Sequence, residues 1–182
     1  MNHIQQWTET PHLFSGVECD QIQQQCADVL LDRATVVGVK KSLARTCQSG
    51  WLERSDQTAW IFDRIREEAV RVNDEQFNFE LRHMESLQYL EYGFGQFYAT
   101  HTDNGAKEVA TRKLTMVIQL SDPSEYLGGS LRIFSSLPQS HATKGRGNAV
   151  FFPSHLPHRA NPVWQGRRKA LVAWFRGQKP LS

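Results

Sequence analysis

The spacing of apolar residues changes once along this chain, and that change limits the folds open to it. Up to about residue 75 the spacing is helical: Ile22, Cys26, Val29 and Leu30 follow at i, i+4, i+7 and i+8, and Ile61, Ile65, Ala69 and Val72 share one face of a second stretch. Ser15 and Glu18 form a capping-box pattern ahead of the first, which predicts a helix over about 16–33. The second has Ser55 and Asp56 before it and Asn73-Asp74 to end it, with a weak strand and a loop predicted over 34–54 between the two. From residue 77 the period is two. Phe77, Phe79 and Leu81 alternate, then Leu87, Tyr89 and Glu91 oppose Gln88, Leu90 and Tyr92. Further strands are predicted at 97–103, 113–120, 130–134, 149–152, 158–164 and 169–175, separated by Gly, Pro, Asn, Asp or Ser. Two helices followed by about eight short strands predict an α+β, mainly β fold, whose sandwich or barrel is backed by two supporting N-terminal helices.

The chain has 182 residues, and one core can serve up to about 250, so a single domain over 1–182 is expected. Its helical support would run to about residue 75 and its strand-rich core from about 77 to 176. Lys and Arg number 21 against 19 Asp and Glu. The surplus of +2 is too small to mark a nucleic-acid or membrane binder, so neither is expected as a partner. No apolar run approaches the roughly 18 residues needed to span a bilayer, and the first dozen residues lack the basic-then-apolar order of a signal peptide. Cys19, Cys26 and Cys47 fit neither a disulfide framework nor a zinc knuckle, and are expected as reduced thiols in the cytoplasm.

The strand-rich half holds the chemistry. Residues i and i+2 of a strand project to one face, so His101 and Asp103 aim an imidazole and a carboxylate at one point. His158 lies 55 residues beyond Asp103 on another predicted strand, and a closed sheet can bring it to the same mouth. Two histidines and one carboxylate suit non-haem iron(II), and the same ligands suit zinc, which leaves a zinc hydrolase open at this point. His155 and His158 differ by three and cannot both face inward on a regular strand; Pro157 suits the start of a strand, which favours His158. Gly93, Gly95, Gly128 and Gly129 are predicted at turns or bulges, and GFG opens no helix, so no phosphate-binding loop is expected.

Five segments in order, YLEYGFGQFYATHTDN, RKLTMVIQLSD, YLGGSLRIF, GNAVFFPS and HRANPVWQGRRKALVAWF, resemble the 2-oxoglutarate- and iron(II)-dependent dioxygenases, in particular their prolyl-4-hydroxylase-like branch. The resemblance covers about residues 87–176 and implies a double-stranded β-helix, or jelly-roll, core of the cupin-like kind. It implies His101, Asp103 and His158 as iron ligands, Arg168 as the residue gripping the far carboxylate of 2-oxoglutarate, and Tyr92 as a second contact to it. An arginine fork binds a carboxylate through two charge-assisted hydrogen bonds, to which a phenol adds a neutral donor.

The implied activity consumes O2 and 2-oxoglutarate, releases succinate and CO2, and hydroxylates a C–H bond, most readily of a prolyl residue in a peptide or protein. Related enzymes take free amino acids or other small molecules, and neither ascorbate dependence nor oligomeric state is written in the residues. A catalytically silent jelly-roll binding module is the reading from another class; the intact ligand set argues against it. Arg168 carries one geometric difficulty. A two-residue hairpin at Gln165-Gly166 would turn Arg167 inward in its place, whereas a three-residue loop restores Arg168 to the face of His158. Substrate is expected over the loop at 44–57, with Arg45, Trp51, Arg54 and Trp60 nearby, and over 102–112. Trp174 and Phe97 read as core packing.

Overall fold

The computed structural model describes residues 6–29, 32–33, 44–135 and 141–178. In chain order the elements are β1 (Thr8–Thr10), α1 (Gly16–Gln25), β2 (Asp32–Arg33), β3 (Gln48–Leu52), α2 (Ala59–Val72), β4 (Leu81–Met84), β5 (Leu87–Tyr92) and β6 (Tyr98–His101). There follow β7 (Arg112–Gln119), β8 (Tyr126–Gly128), β9 (Leu131–Ile133), β10 (Ala149–Pro153), β11 (His158–Ala160), β12 (Val163–Gly166) and β13 (Arg168–Gly177). A large antiparallel sheet runs β1-β10-β7-β13-β5-β3-β2, with β4 also paired to β13. A three-stranded sheet, β6-β11-β9, and a ribbon, β12-β8, form the opposing layer of the jelly roll.

Period two sorts the large sheet into a helix face and an inner face. Leu87 and Tyr89, Leu114, Met116 and Ile118, Phe151, and Leu171, Ala173 and Phe175 pack with Ile22, Ile61, Ile65 and Ala69 of the helices. Their neighbours Leu90 and Tyr92, Val117, Val150 and Phe152, and Ala170, Val172 and Trp174 pack with Leu131, Ile133, Ala160 and Val163 of the opposing layer. Each fully buried isoleucine of the helices contributes about 1.5–3 kcal/mol of transfer free energy, so the helices seal one side of the sheet while the other is left to build a site. The three cysteines are buried free thiols. Burial pushes Cys26, on the helix face, up to about 12, which leaves it inert.

Several boundaries differ from the reading of the sequence. α1 has its Ser15–Glu18 capping box but stops at Gln25, and the chain leaves it through tight turns, Ala27 N–H to Gln24 O and Val29 N–H to Cys26 O. Asp32 and Arg33 are then strand. The weak strand expected after residue 33 lies largely outside the described residues, and part of the expected loop is β3, paired with β5 from Gln48↔Glu91 to Leu52↔Leu87. The helix cap is Thr58, and α2 runs on into a π-helical turn, Asn73–Phe77. Phe77–Phe79 are therefore not strand: the Asn73 amide holds the backbone of Phe79 at both N–H (2.9 Å) and carbonyl (3.0 Å). The strand expected over 158–164 breaks at Asn161-Pro162, and its second half pairs with β8.

Candidate active site

β11 and β6 are antiparallel with His158 directly opposite His101, which brings the two imidazoles to a ring separation of 4.2 Å. Each ring is fixed by its own strand. Nδ1 of His101 meets the carbonyl of Ala99 at 2.8 Å and Nδ1 of His158 that of Leu156 at 3.0 Å. A carbonyl only accepts, so each Nδ1 is a donor and each Nε2 is the nitrogen left to face Asp103. Asp103 lies just past the end of β6, where its N–H donates to Ser154 O (2.9 Å), and its carboxylate oxygens sit 3.5 Å from the two Nε2 atoms, Oδ1 from His101 and Oδ2 from His158. The three ligand atoms lie within 4.8 Å of one another.

Thr115, on the inner face of β7, donates from Oγ1 to Asp103 Oδ2 at 2.8 Å and shares a hydrogen bond with Ser154 Oγ at 3.0 Å. Burial raises the Asp103 carboxyl, but the charges of His158 and His101 and the His101 hydrogen bond outweigh it and hold the group well below the usual carboxylate range. Burial pulls His158 down, against the attraction of Asp103, and favours the neutral ligand form. Two imidazoles and an ionised carboxylate, already converged, fit an iron(II) ion.

Arg168 opens β13 opposite Tyr92 of β5, and is buried at 2% exposure. Its Nη2 donates to Gln119 Oε1 (2.9 Å), its guanidinium stands 5.3 Å from the centre of the Tyr92 ring, and its Nε has no partner. Among the described residues it has no carboxylate. A buried guanidinium without a counter-charge is costly, and a free N–H aimed into the interior fits a carboxylate ligand such as one end of 2-oxoglutarate. Burial pushes the Tyr92 hydroxyl up, so it remains a neutral phenol.

Arg167 is 65% exposed and pairs with Glu91 on the outside. Neither hairpin considered for this turn forms, because β12 pairs with β8 and β13 with β5, and the chain crosses between layers at Gly166. Gly166 has φ 71°, and a Cβ there would lie 1.9 Å from Glu125 O. Gly129 (φ 61°) makes room for Arg168 in the same way: a Cβ would lie 3.1 Å from its Cδ. Lys144 reaches the same turn, with Nζ 2.5 Å from Gly128 O.

On the other side of the histidines, the Tyr98 ring stacks on His101 at 3.5 Å, and Arg45 lies over Tyr98 at 4.7 Å. Arg45 is buried, donating to Gln88 Oε1 (3.0 Å) and Cys47 Sγ (3.3 Å). Trp174 is inward-facing core, with Trp51 tilted against it at 6.0 Å and Arg112 over it at 3.8 Å, the latter held by Glu85 at 2.6 and 2.7 Å. Of the other residues expected near substrate, Arg54 pairs with Asp63 on the surface and Trp60 packs on Phe14 beside the helices. Phe97 is only partly buried, and His155 and His141 are exposed. Reading the sequence missed Thr115, Gln119 and Gln88, although each is a polar residue at an inward position of an alternating strand.

The profile of the 2OG-Fe(II) oxygenase superfamily matches residues 87–176. A PKHD-type hydroxylase of Synechococcus elongatus is 30% identical over 170 residues, which cover 89% of this chain and 74% of the relative. In the matches with PKHD-type hydroxylases of Idiomarina loihiensis and Psychrobacter, the chain spans only 38% and 36% of the relative's length. Among solved structures, a Pseudomonas putida prolyl-4-hydroxylase superposes with TM-score 0.76 at 20% identity, covering 95% of this chain and 93% of that one. A prolyl hydroxylase from Trichoplax adhaerens, in complex with a hypoxia inducible factor oxygen degradation domain peptide fragment, superposes with TM-score 0.79 at 15% identity, covering 94% and 83%. These structures share the fold. With the match to the Synechococcus relative along most of both sequences, the chain belongs to the 2OG-Fe(II) oxygenase superfamily.

Proposed function

We propose that the protein hydroxylates a C–H bond of a prolyl residue in a peptide or protein, consuming O2 and 2-oxoglutarate and releasing succinate and CO2. The observation that carries this reading is the buried, uncompensated guanidinium of Arg168 in the same interior as His101, Asp103 and His158. A zinc hydrolase would have no use for a carboxylate anchor there. His101, Asp103 and His158 would hold the iron, and Arg168, assisted by the Tyr92 hydroxyl, the far carboxylate of 2-oxoglutarate. When bound, iron(II) would activate O2, the oxidant, and 2-oxoglutarate would supply two of the four electrons that O2 takes up, the substrate C–H bond the other two. The chain's own residues orient the ligands, keep Asp103 ionised and exclude water through the aromatic layer of Tyr98, Trp174 and Trp51.

A prolyl peptide suits the mouth. Aromatic-lined grooves dock proline-rich chains, and Trp51, 46% exposed where it leans on Trp174, offers such a face. The solved Pseudomonas and Trichoplax relatives are prolyl hydroxylases, the latter with a peptide bound. The unit we propose is the whole chain, with helical support followed by the jelly-roll core, working in the cytoplasm, where buried free thiols persist.

The test is anaerobic. Addition of Fe(II) and then 2-oxoglutarate to metal-free protein should give the visible iron-to-keto-acid charge-transfer band; Arg168→Ala should lose it at a 2-oxoglutarate concentration that saturates Arg167→Ala. No band in folded, iron-loaded protein would overturn the reading. In air, a proline-containing peptide should gain one oxygen atom by mass spectrometry while free proline does not.

A further inference from the structure

We propose that the outer face of the three-stranded sheet is a binding site for carboxylates of an acidic polypeptide segment, held by Arg132 and Arg159 over the ring of Phe134. The two arginines are register partners on β9 and β11. Their guanidinium groups stand 4.8 and 5.6 Å from the centre of the same ring. The Nε of each is buried without a hydrogen-bond partner. Like charges directly opposite one another in an antiparallel pair destabilise it, so the arrangement costs stability unless an anion is present.

The rest of the protein shows how unusual this is. Of the thirteen arginines whose side chains are described, Arg54, Arg64, Arg66, Arg71, Arg82, Arg112, Arg146, Arg167 and Arg176 have a carboxylate partner. Arg45 and Arg168 face the interior site. Only Arg132 and Arg159 are unpaired on an outward face. The segment 136–140 that follows β9 reads SLPQS and can supply no carboxylate.

The chemistry of the occupant follows from the donors and their setting. A guanidinium set over a phenyl ring is attracted to it without using its N–H donors, and its terminal Nη groups can still grip a carboxylate. Among the described residues this face has exposed Thr100 on β6 at one side and exposed His141, bridged to Arg132, at the other. A small anion at a surface pair of arginines competes poorly with water, whereas an extended chain presents several carboxylates at once. His101 and His158 project to the opposite side of this sheet, so the proposal does not depend on the catalytic reading.

Titration of the 182-residue protein with a labelled peptide of alternating Glu and Ser tests it by fluorescence anisotropy. The Gln/Ser peptide and inorganic phosphate serve as controls. The Glu/Ser peptide should bind about tenfold or more tightly than the Gln/Ser peptide, and the double variant Arg132→Gln/Arg159→Gln should lose that preference. With the repulsion gone, the double variant should melt no lower than the parent and keep its iron–2-oxoglutarate band. Arg159→Gln alone should give an intermediate loss, which keeps the test open if the double variant fails to fold. Glu-peptide binding unchanged by these substitutions would overturn the site, and so would absence of binding to the parent protein. Saturation by phosphate with no preference for the Glu peptide would overturn the polypeptide assignment.

Discussion

Thr115 is not one of the three converged ligands, yet its hydroxyl is bonded to both Asp103 and Ser154, and it is fully buried. Exchange for an isosteric methyl keeps the packing and removes the donor, leaving one carboxylate oxygen short of a hydrogen bond. Thr115→Val should therefore fold and weaken binding of iron(II), or of cobalt(II) as a spectroscopic substitute, by about 10–100-fold; an unchanged cobalt affinity would show that Asp103 needs no such support. At this scale the sequence was legible where the chemistry of the residue types is narrow. His101, Asp103 and His158 could be named because few residue types bind metal, although β6 ends at His101 and Asp103 is placed by its N–H bond to Ser154 O rather than by the strand alternation expected for it. Arg45 could be suspected but not placed, because its burial depends on Tyr98 and Gln88, which reach it from other strands.

Among the elements, β13 is the central one, paired to β7 on one edge and to β5 and β4 on the other. Its first residue is Arg168, for which we propose the role of carboxylate anchor, and the turn at Gly128-Gly129 closes over that side chain. Gly129→Ala would combine a positive φ with a Cβ 3.0–3.2 Å from Val163, Arg168 and Tyr126. We expect a stability loss of about 1–3 kcal/mol and a raised KM for 2-oxoglutarate with little change in kcat at saturation. A melt and a cosubstrate titration check both, and an unaltered KM would separate the turn from the anchor. The strands were legible by alternation; their partners were not. The β12–β13 connection was read as a hairpin because neighbours in sequence usually pair, whereas the steric fit of Gly166 against Glu125 sends the chain into the other layer. α1 was read too long because an apolar repeat of helical period continues past Gln25 without the backbone following it.

For the molecule as a whole, labour divides between the two faces of one sheet. The helix face is apolar where it packs on the helices, with Glu91 and Lys169 at its margin, and the inner face mixes apolar residues with Gln88, Thr115, Gln119 and Arg168. Stability and chemistry should therefore be separable by substitution. Ile65→Ala, at a fully buried position among the helices, should cost about 2–5 kcal/mol in denaturant unfolding while the charge-transfer band forms at the same 2-oxoglutarate concentration. A band shifted to higher concentration would mean that the helices tune the site as well as support it. The overall architecture was the most legible feature, because a change of apolar period is a property of many residues at once and survives errors at any one of them.

Strand parity also bears on how such a chain can change by descent. Tyr92, Thr115, Gln119, Arg168 and Trp174 face inward only because each occupies the right alternate position of β5, β7 or β13. Loss or gain of a single codon within one of these strands would turn its anchor and its packing residues outward together. Length variation is thus confined to the connections between strands, and within β5, β7 and β13 a lineage can explore new cosubstrates or new substrates only by exchanging one side chain for another in place.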